Sequence, residues 1–113
     1  PKPDDIPAEQ AYQMLYDYVY RIPGAENHTF WQRGSLDQVV LDSFCRGLYK
    51  DPITRYNNWR DVRTAIDILY GTQNGYTEID HPEFNRDLVL KHHPSHDICL
   101  DVMQLLYGKE KHV

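Results

Sequence analysis

An all-α fold, a compact bundle of about five helices, is what this sequence predicts, and two observations carry that expectation. The stretches Asn58–Gly71 and Ser95–Gly108 each open on a helix-capping residue, close on Leu-Tyr-Gly, and have the same cap-to-glycine distance. A cap side chain accepts first-turn N–H groups that have no intrahelical partner, and glycine adopts the left-handed conformation that ends a helix. Elsewhere apolar residues recur at the i, i+3, i+4, i+7 spacing of a helix, and runs of alternating β-branched residues are missing.

Residues 1–5 read as a short polar arm, residues 6–108 as one helical-bundle domain and residues 109–113 as a polar C-terminal tail. The first helix runs from about Ile6 or Pro7 to Arg21, with Pro7 suited to a first turn and Pro23-Gly24 as the stop. Ala8, Ala11, Tyr12, Leu15, Val19 and Ile22 form its apolar series. Residues 23–34 read as a loop holding Phe30 and Trp31. The second helix starts at Ser35, where Gln38 completes a capping box, buries Val39, Val40, Phe44 and Leu48, and ends near Asp51-Pro52.

The third helix is the Asn58–Gly71 unit, burying Val62, Ile66 and Leu69. Asn74-Gly75 marks a tight turn after it. Asp80-His81-Pro82-Glu83 reads as the cap of a short fourth helix reaching about His92, and Pro94 breaks the chain. The fifth helix, Ser95–Gly108, carries Ile98, Val102, Met103, Leu105 and Leu106 and is the most apolar, which places it centrally.

A chain of 113 residues suits one domain. Its 41% hydrophobic and 26% charged content is that of a soluble globular protein. No apolar run approaches the ~20 residues of a membrane span, so no membrane partner is expected. No secretory signal is visible at the polar N-terminus, and a cytoplasmic, intracellular location is the expectation. A net charge of -5, from 17 acidic and 12 basic residues, disfavours a nucleic-acid partner, which a basic stripe would mark. Cys45 and Cys99 read as free, buried, small apolar residues, and a bond between them requires their helices to touch. No glycine-rich phosphate loop and no Gly-x-Ser-x-Gly elbow occurs, so neither a cofactor nor a nucleophilic serine is expected.

The first helix carries the main functional hint. Glu9, Gln10, Gln13, Asp17 and Arg21 fill one sector of it, and the remaining arc of about 240° is apolar or aromatic. A helix packed on one side needs an arc of only about 100°. Four of the nine tyrosines, Tyr12, Tyr16, Tyr18 and Tyr20, lie here. A tyrosine ring with its polar tip suits an interface that must also be soluble alone. With the aromatic loop tip Phe30-Trp31, these residues are the candidate protein-binding surface. The function expected is a small, acidic, non-catalytic binding module: an inhibitor, adaptor or assembly subunit. Its partner is another protein, with a homodimer as one form.

Two alternatives stand beside it. Arg86-Asp87-Leu88-Val89-Leu90-Lys91-His92 resembles the Arg-polar-x4-His motif of HEPN domains, all-helical domains of which many are dimeric ribonucleases. Over these seven residues the resemblance implies metal-independent RNA cleavage, with Arg86 and His92 flanking the scissile phosphate. A nucleic-acid-binding helical bundle is the other. His81, His92, His93 and His96 cluster in sequence, but Pro94 separates His92 from His96, so no metal site is expected.

Overall fold

A computed structural model describes residues 4–90 and 92–111. In order it contains α1 (Ala8–Tyr20), a 3-10 turn (Ala25–Asn27), β1 (Phe30–Gln32), α2 (Leu36–Gly47), a second 3-10 turn (Tyr56–Asn58), β2 (Trp59–Asp61), α3 (Val62–Tyr70), a third 3-10 turn (Arg86–Leu88) and α4 (Pro94–Tyr107). The fold is mostly helical, with four α-helices where about five were expected, and β1 and β2 pair as a small two-stranded parallel sheet. The chain forms two compact units that divide between Arg60 and Asp61.

The core of the first unit is Tyr12, Val19, Cys45 and Ile53, with Leu15, Phe30, Leu41, Phe44 and Leu48 packed against it. Ile53 is 1% exposed although it lies in irregular chain, so its backbone needs partners there. The Tyr12 hydroxyl donates to the Asp51 carbonyl at 2.8 Å and the Tyr20 hydroxyl to the Ile53 carbonyl at 2.7 Å. α2 stops at Gly47, short of Asp51-Pro52, where Tyr49 turns left-handed at φ 56°. Its Val39 and Val40, expected in the core, are exposed, and Cys45 is the residue that seats it.

Ser35 is the N-cap of α2, yet its side chain makes no cap bond. The Gln38 N–H is donated instead to Oε1 of the buried Gln32, at 2.9 Å. The strand β1 delivers that side chain, so Phe30–Gln32 is ordered structure where a loop was expected.

In the second unit α3 packs on α4, with Val62 and Ile66 buried as expected and Leu69 exposed. The cap of α3 is Asp61, not Asn58: its carboxylate accepts from the Arg63 N–H at 3.1 Å and the Thr64 hydroxyl at 3.0 Å. Asn58 ends a 3-10 turn, and Trp59–Asp61 are spent on the strand. Gly71 ends α3 left-handed at φ 70°.

α4 begins at Pro94, which therefore starts a helix instead of breaking one. Proline has no N–H to orphan in a first turn, and its φ is already helical. The placement of this helix at the centre is corrected. Ile98 (64%), Val102 (46%) and Leu106 (65%) are exposed, and its buried residue is Gln104. Gln104 accepts the Thr77 N–H at 3.0 Å and donates to the Leu100 carbonyl. Gly108 has extended backbone, not the left-handed turn expected of it. A Cβ there would overlap Tyr70, the Gln104 carbonyl and Thr77, so the glycine serves close approach.

The short helix expected over residues 80–92 does not form. The Asn85 side chain accepts the Asp87 N–H at 3.0 Å, a local bond that competes with helix, and only the turn Arg86–Leu88 results. Lys109 and Lys111, read as part of a tail, donate their backbone N–H groups to Glu78 and Tyr70 carbonyls at 2.9 and 3.0 Å. The first three residues of the arm and the last two of the tail lie outside the described residues.

Two contrasts check these assignments by chemical denaturation. Ile66→Ala, at a site 0% exposed, is expected to cost about 2–5 kcal/mol. Leu106→Ala is expected to cost under about 1 kcal/mol. Asp61→Ala is expected to cost about 0.5–2 kcal/mol, and Asn58→Ala to be close to neutral.

Candidate functional surface

The first unit sorts the tyrosines of α1 onto two ridges. Residues four apart on a helix stack above one another. Tyr12, Tyr16 and Tyr20 form one ridge, with ring centroids 6.1 and 4.5 Å apart. The series continues beyond the helix through His28 (5.5 Å from Tyr20), Phe30 (5.0 Å) and Trp59 (5.2 Å). His28 is held at both ring nitrogens. Its Nδ1–H donates to the Ala25 carbonyl, and Nε2 is hydrogen-bonded to the buried Thr54 hydroxyl at 2.6 Å.

The second ridge faces solvent. Met14 (55%) and Tyr18 (59%) are four residues apart on α1, and Ile22 (51%) follows just beyond the helix end. Beside this ridge lies a groove of about 500 Å³ lined by Leu15, Tyr18, Val19, Ile22, His28 and Phe30 among others. Arg21 lays its guanidinium over the Tyr18 ring, 5.2 Å from the centroid.

The six residues expected to bind a partner therefore part company. Tyr12 is 6% exposed and belongs to the core, because its hydroxyl is committed to Asp51. Tyr16 and Tyr20 are partly covered by their own stack. Tyr18 is outward, and Phe30 is half-buried at the groove. Trp31 is exposed, with its indole N–H donated to the Thr29 hydroxyl at 3.1 Å, and does not line the groove. Met14 and Ile22 join the surface without having been singled out. Their signal was the four-residue step through Tyr18, which an arc of 240° blurs.

In the second unit Arg86 is exposed in its 3-10 turn, its guanidinium over the Phe84 ring at 5.7 Å. His92 is exposed in a left-handed backbone at φ 60°. No α-helix joins them among the described residues, and Lys91 between them lies outside those residues. His81 accepts the Glu83 N–H and stacks on Tyr107 at 4.7 Å. His96 accepts the Leu90 N–H at 2.9 Å and stacks on His93 at 4.4 Å. Among the described residues no group of three or more His, Cys, Asp or Glu is placed to hold a metal ion. Cys45 is buried, Cys99 is exposed, and both are free thiols. No helix of the described residues is long and apolar enough to cross a membrane. Comparison with protein-family models, curated proteins and solved structures finds no match for this chain.

Burial, reinforced by nearby Cys45 and Asp51, pushes the Tyr12 hydroxyl above its ordinary value of 10.0. A folded-state value above the unfolded one means the folded chain keeps its proton longer. That stability is fully present below the unfolded value and is lost as pH rises through the folded one. Denaturation midpoints measured between about pH 9 and 11 are expected to fall less steeply for Tyr12→Phe than for the parent chain.

Proposed function

We propose that this chain is a non-catalytic protein-binding module that docks another protein along the exposed ridge of α1. The observation that carries the reading is the ridge itself: Met14, Tyr18 and Ile22 stand half or more exposed in register, beside an apolar groove. Single exposed apolar residues need no explanation, but a contiguous patch on a polar-rimmed helix marks a contact surface. The neighbouring Tyr12–Tyr16–Tyr20 ridge is clamped by hydroxyl bonds and ring stacking, so the face is rigid before a partner arrives. Pre-organisation of that kind lowers the entropic cost of association. Acting as an inhibitor, adaptor or assembly subunit each requires no more than this. The net charge of -5 accords with a protein partner more than with a nucleic acid.

Site-specific photo-cross-linking tests the reading. A cross-linker at Tyr18 is expected to trap one discrete protein species, and one at Gln13, on the polar sector, none. Ile22→Asp is expected to abolish the Tyr18 product and to weaken binding of the species at least tenfold, about 1.4 kcal/mol. Equal trapping from both positions, or no effect of Ile22→Asp, would overturn it.

A further inference from the structure

The second unit holds a cavity whose polar side chains have given up their acceptors to the main chain. We propose that this cavity binds a small, uncharged, apolar molecule bearing one carbonyl-type acceptor. Its lining falls within residues 81–103, so the site stands or falls apart from the docking face of α1.

Two stretches of chain build the walls. His96, Cys99, Leu100 and Met103 follow the i, i+3, i+4, i+7 steps of α4 and share one of its faces. The other wall comes from residues 81–89, where the Asn85 side chain competes with helix. Phe84, Leu88 and Val89 supply its apolar part. The cavity measures about 440 Å³. Small-molecule sites span about 300–1,000 Å³ and set a few polar groups into apolar walls to fix orientation.

Three polar groups of this lining share one condition. The Glu83 N–H donates to His81 Nδ1 at 3.2 Å, the Leu90 N–H to His96 Nδ1 at 2.9 Å, and the Asp87 N–H to Asn85 Oδ1 at 3.0 Å. A ring nitrogen that accepts an N–H carries no hydrogen, so each neutral ring keeps its hydrogen on Nε2. Neither ring has an acceptor left, and Asn85 keeps both N–H groups of its amide. Among the described residues no hydrogen bond uses these donors. A metal ion needs the reverse arrangement, a ring whose second nitrogen donates. A ligand that accepts hydrogen bonds fits, and a cation does not.

Charge narrows the class further. Acidic residues outnumber basic ones five to two over residues 80–103, and Glu83 is among the lining residues. An anionic acceptor would meet like charge there, at a cost that an uncharged carbonyl avoids.

Fluorescence titration of the full chain with prodan, an uncharged naphthyl ketone whose emission moves to the blue in apolar surroundings, tests this. Saturable binding is expected. In competition, 2-acetylnaphthalene is expected to bind about tenfold more tightly than 2-ethylnaphthalene, which lacks the acceptor. 2-Naphthoate and 2-naphthylmethylamine are expected to bind more weakly than the ketone. Cys99 reports the position: its thiol is exposed and that of Cys45 is buried, so iodoacetamide distinguishes them by mass spectrometry. Bound 2-acetylnaphthalene is expected to slow alkylation of Cys99 in proportion to the fraction bound. His96→Phe keeps a ring and removes the N–H. Asn85→Asp keeps the oxygen that the Asp87 N–H requires and replaces the amide donors; Asn85 is exposed, so this variant carries the test should His96→Phe unfold. Each is expected to weaken the ketone about three- to tenfold and to leave 2-ethylnaphthalene unchanged. Prodan binding that leaves Cys99 equally reactive overturns the site. Equal affinity for ketone and hydrocarbon, tighter binding of the acid or the amine, or folded variants that bind the ketone as the parent does overturn the ligand class. No binding overturns both.

Discussion

Three tyrosine hydroxyls join parts of the chain that are 33 to 39 residues apart, and each donates to a main-chain carbonyl: Tyr12 to Asp51, Tyr20 to Ile53, Tyr70 to Leu105. The distances are 2.7–2.8 Å, the ordinary range for a hydroxyl donor. In the first unit these bonds allow irregular chain around Ile53 to be buried, since a carbonyl buried without a donor costs about 1–3 kcal/mol. In the second, Tyr70 meets a carbonyl in the last turn of α4, where no intrahelical donor is left. Tyrosine suits the task because its ring adds buried apolar area while its tip satisfies the backbone.

The orientation of α1 follows from that commitment. The Tyr12 and Tyr20 hydroxyls hold that side of α1 to residues 51–53, burying Tyr12 while Tyr16 and Tyr20 keep part of their rings exposed. Helical geometry then turns the Met14–Tyr18–Ile22 ridge to solvent. The clamp that holds the fold together thus also presents the surface proposed to bind. Adding His28, Phe30 and Trp59 to the aromatic series carries the same rigid layer to the wall of the groove.

Buried polar side chains perform a second, related task. Gln32 caps α2, Gln104 takes the Thr77 N–H, and Thr54 holds His28. Each is less than a tenth exposed. On α4 Gln104 is the buried residue, and Ile98, Val102 and Leu106 lie on the surface although pattern assigned them to the core. A hydrophobic stripe predicts burial only when nothing else on the helix is bonded inward. Gln104 is so bonded, and its side of α4 faces the protein.

By itself the sequence determined where helices lie, because caps, glycines and apolar spacing act locally. α1 to α3 fall within the stretches marked by these signals, α4 starts one residue ahead of its own at Pro94 with His93 and not Ser95 as its N-cap, and Gly71 is left-handed as its place after Leu-Tyr requires. It also determined that α1 has more apolar arc than one packing face can use. Tertiary structure decided which signals were used. Asn58 lost its cap role to Asp61 because Trp59–Asp61 pair with β1, a partner 27 or more residues away that no local pattern displays. Residues 80–92 lost their helix to the Asn85 side chain. Gly108 ends the same tripeptide as Gly71 yet is extended, needed for the closeness of Tyr70 and not for its own conformation. Which tyrosines of α1 face solvent was likewise beyond local reading, because the carbonyls that claim Tyr12 and Tyr20 belong to residues 51 and 53.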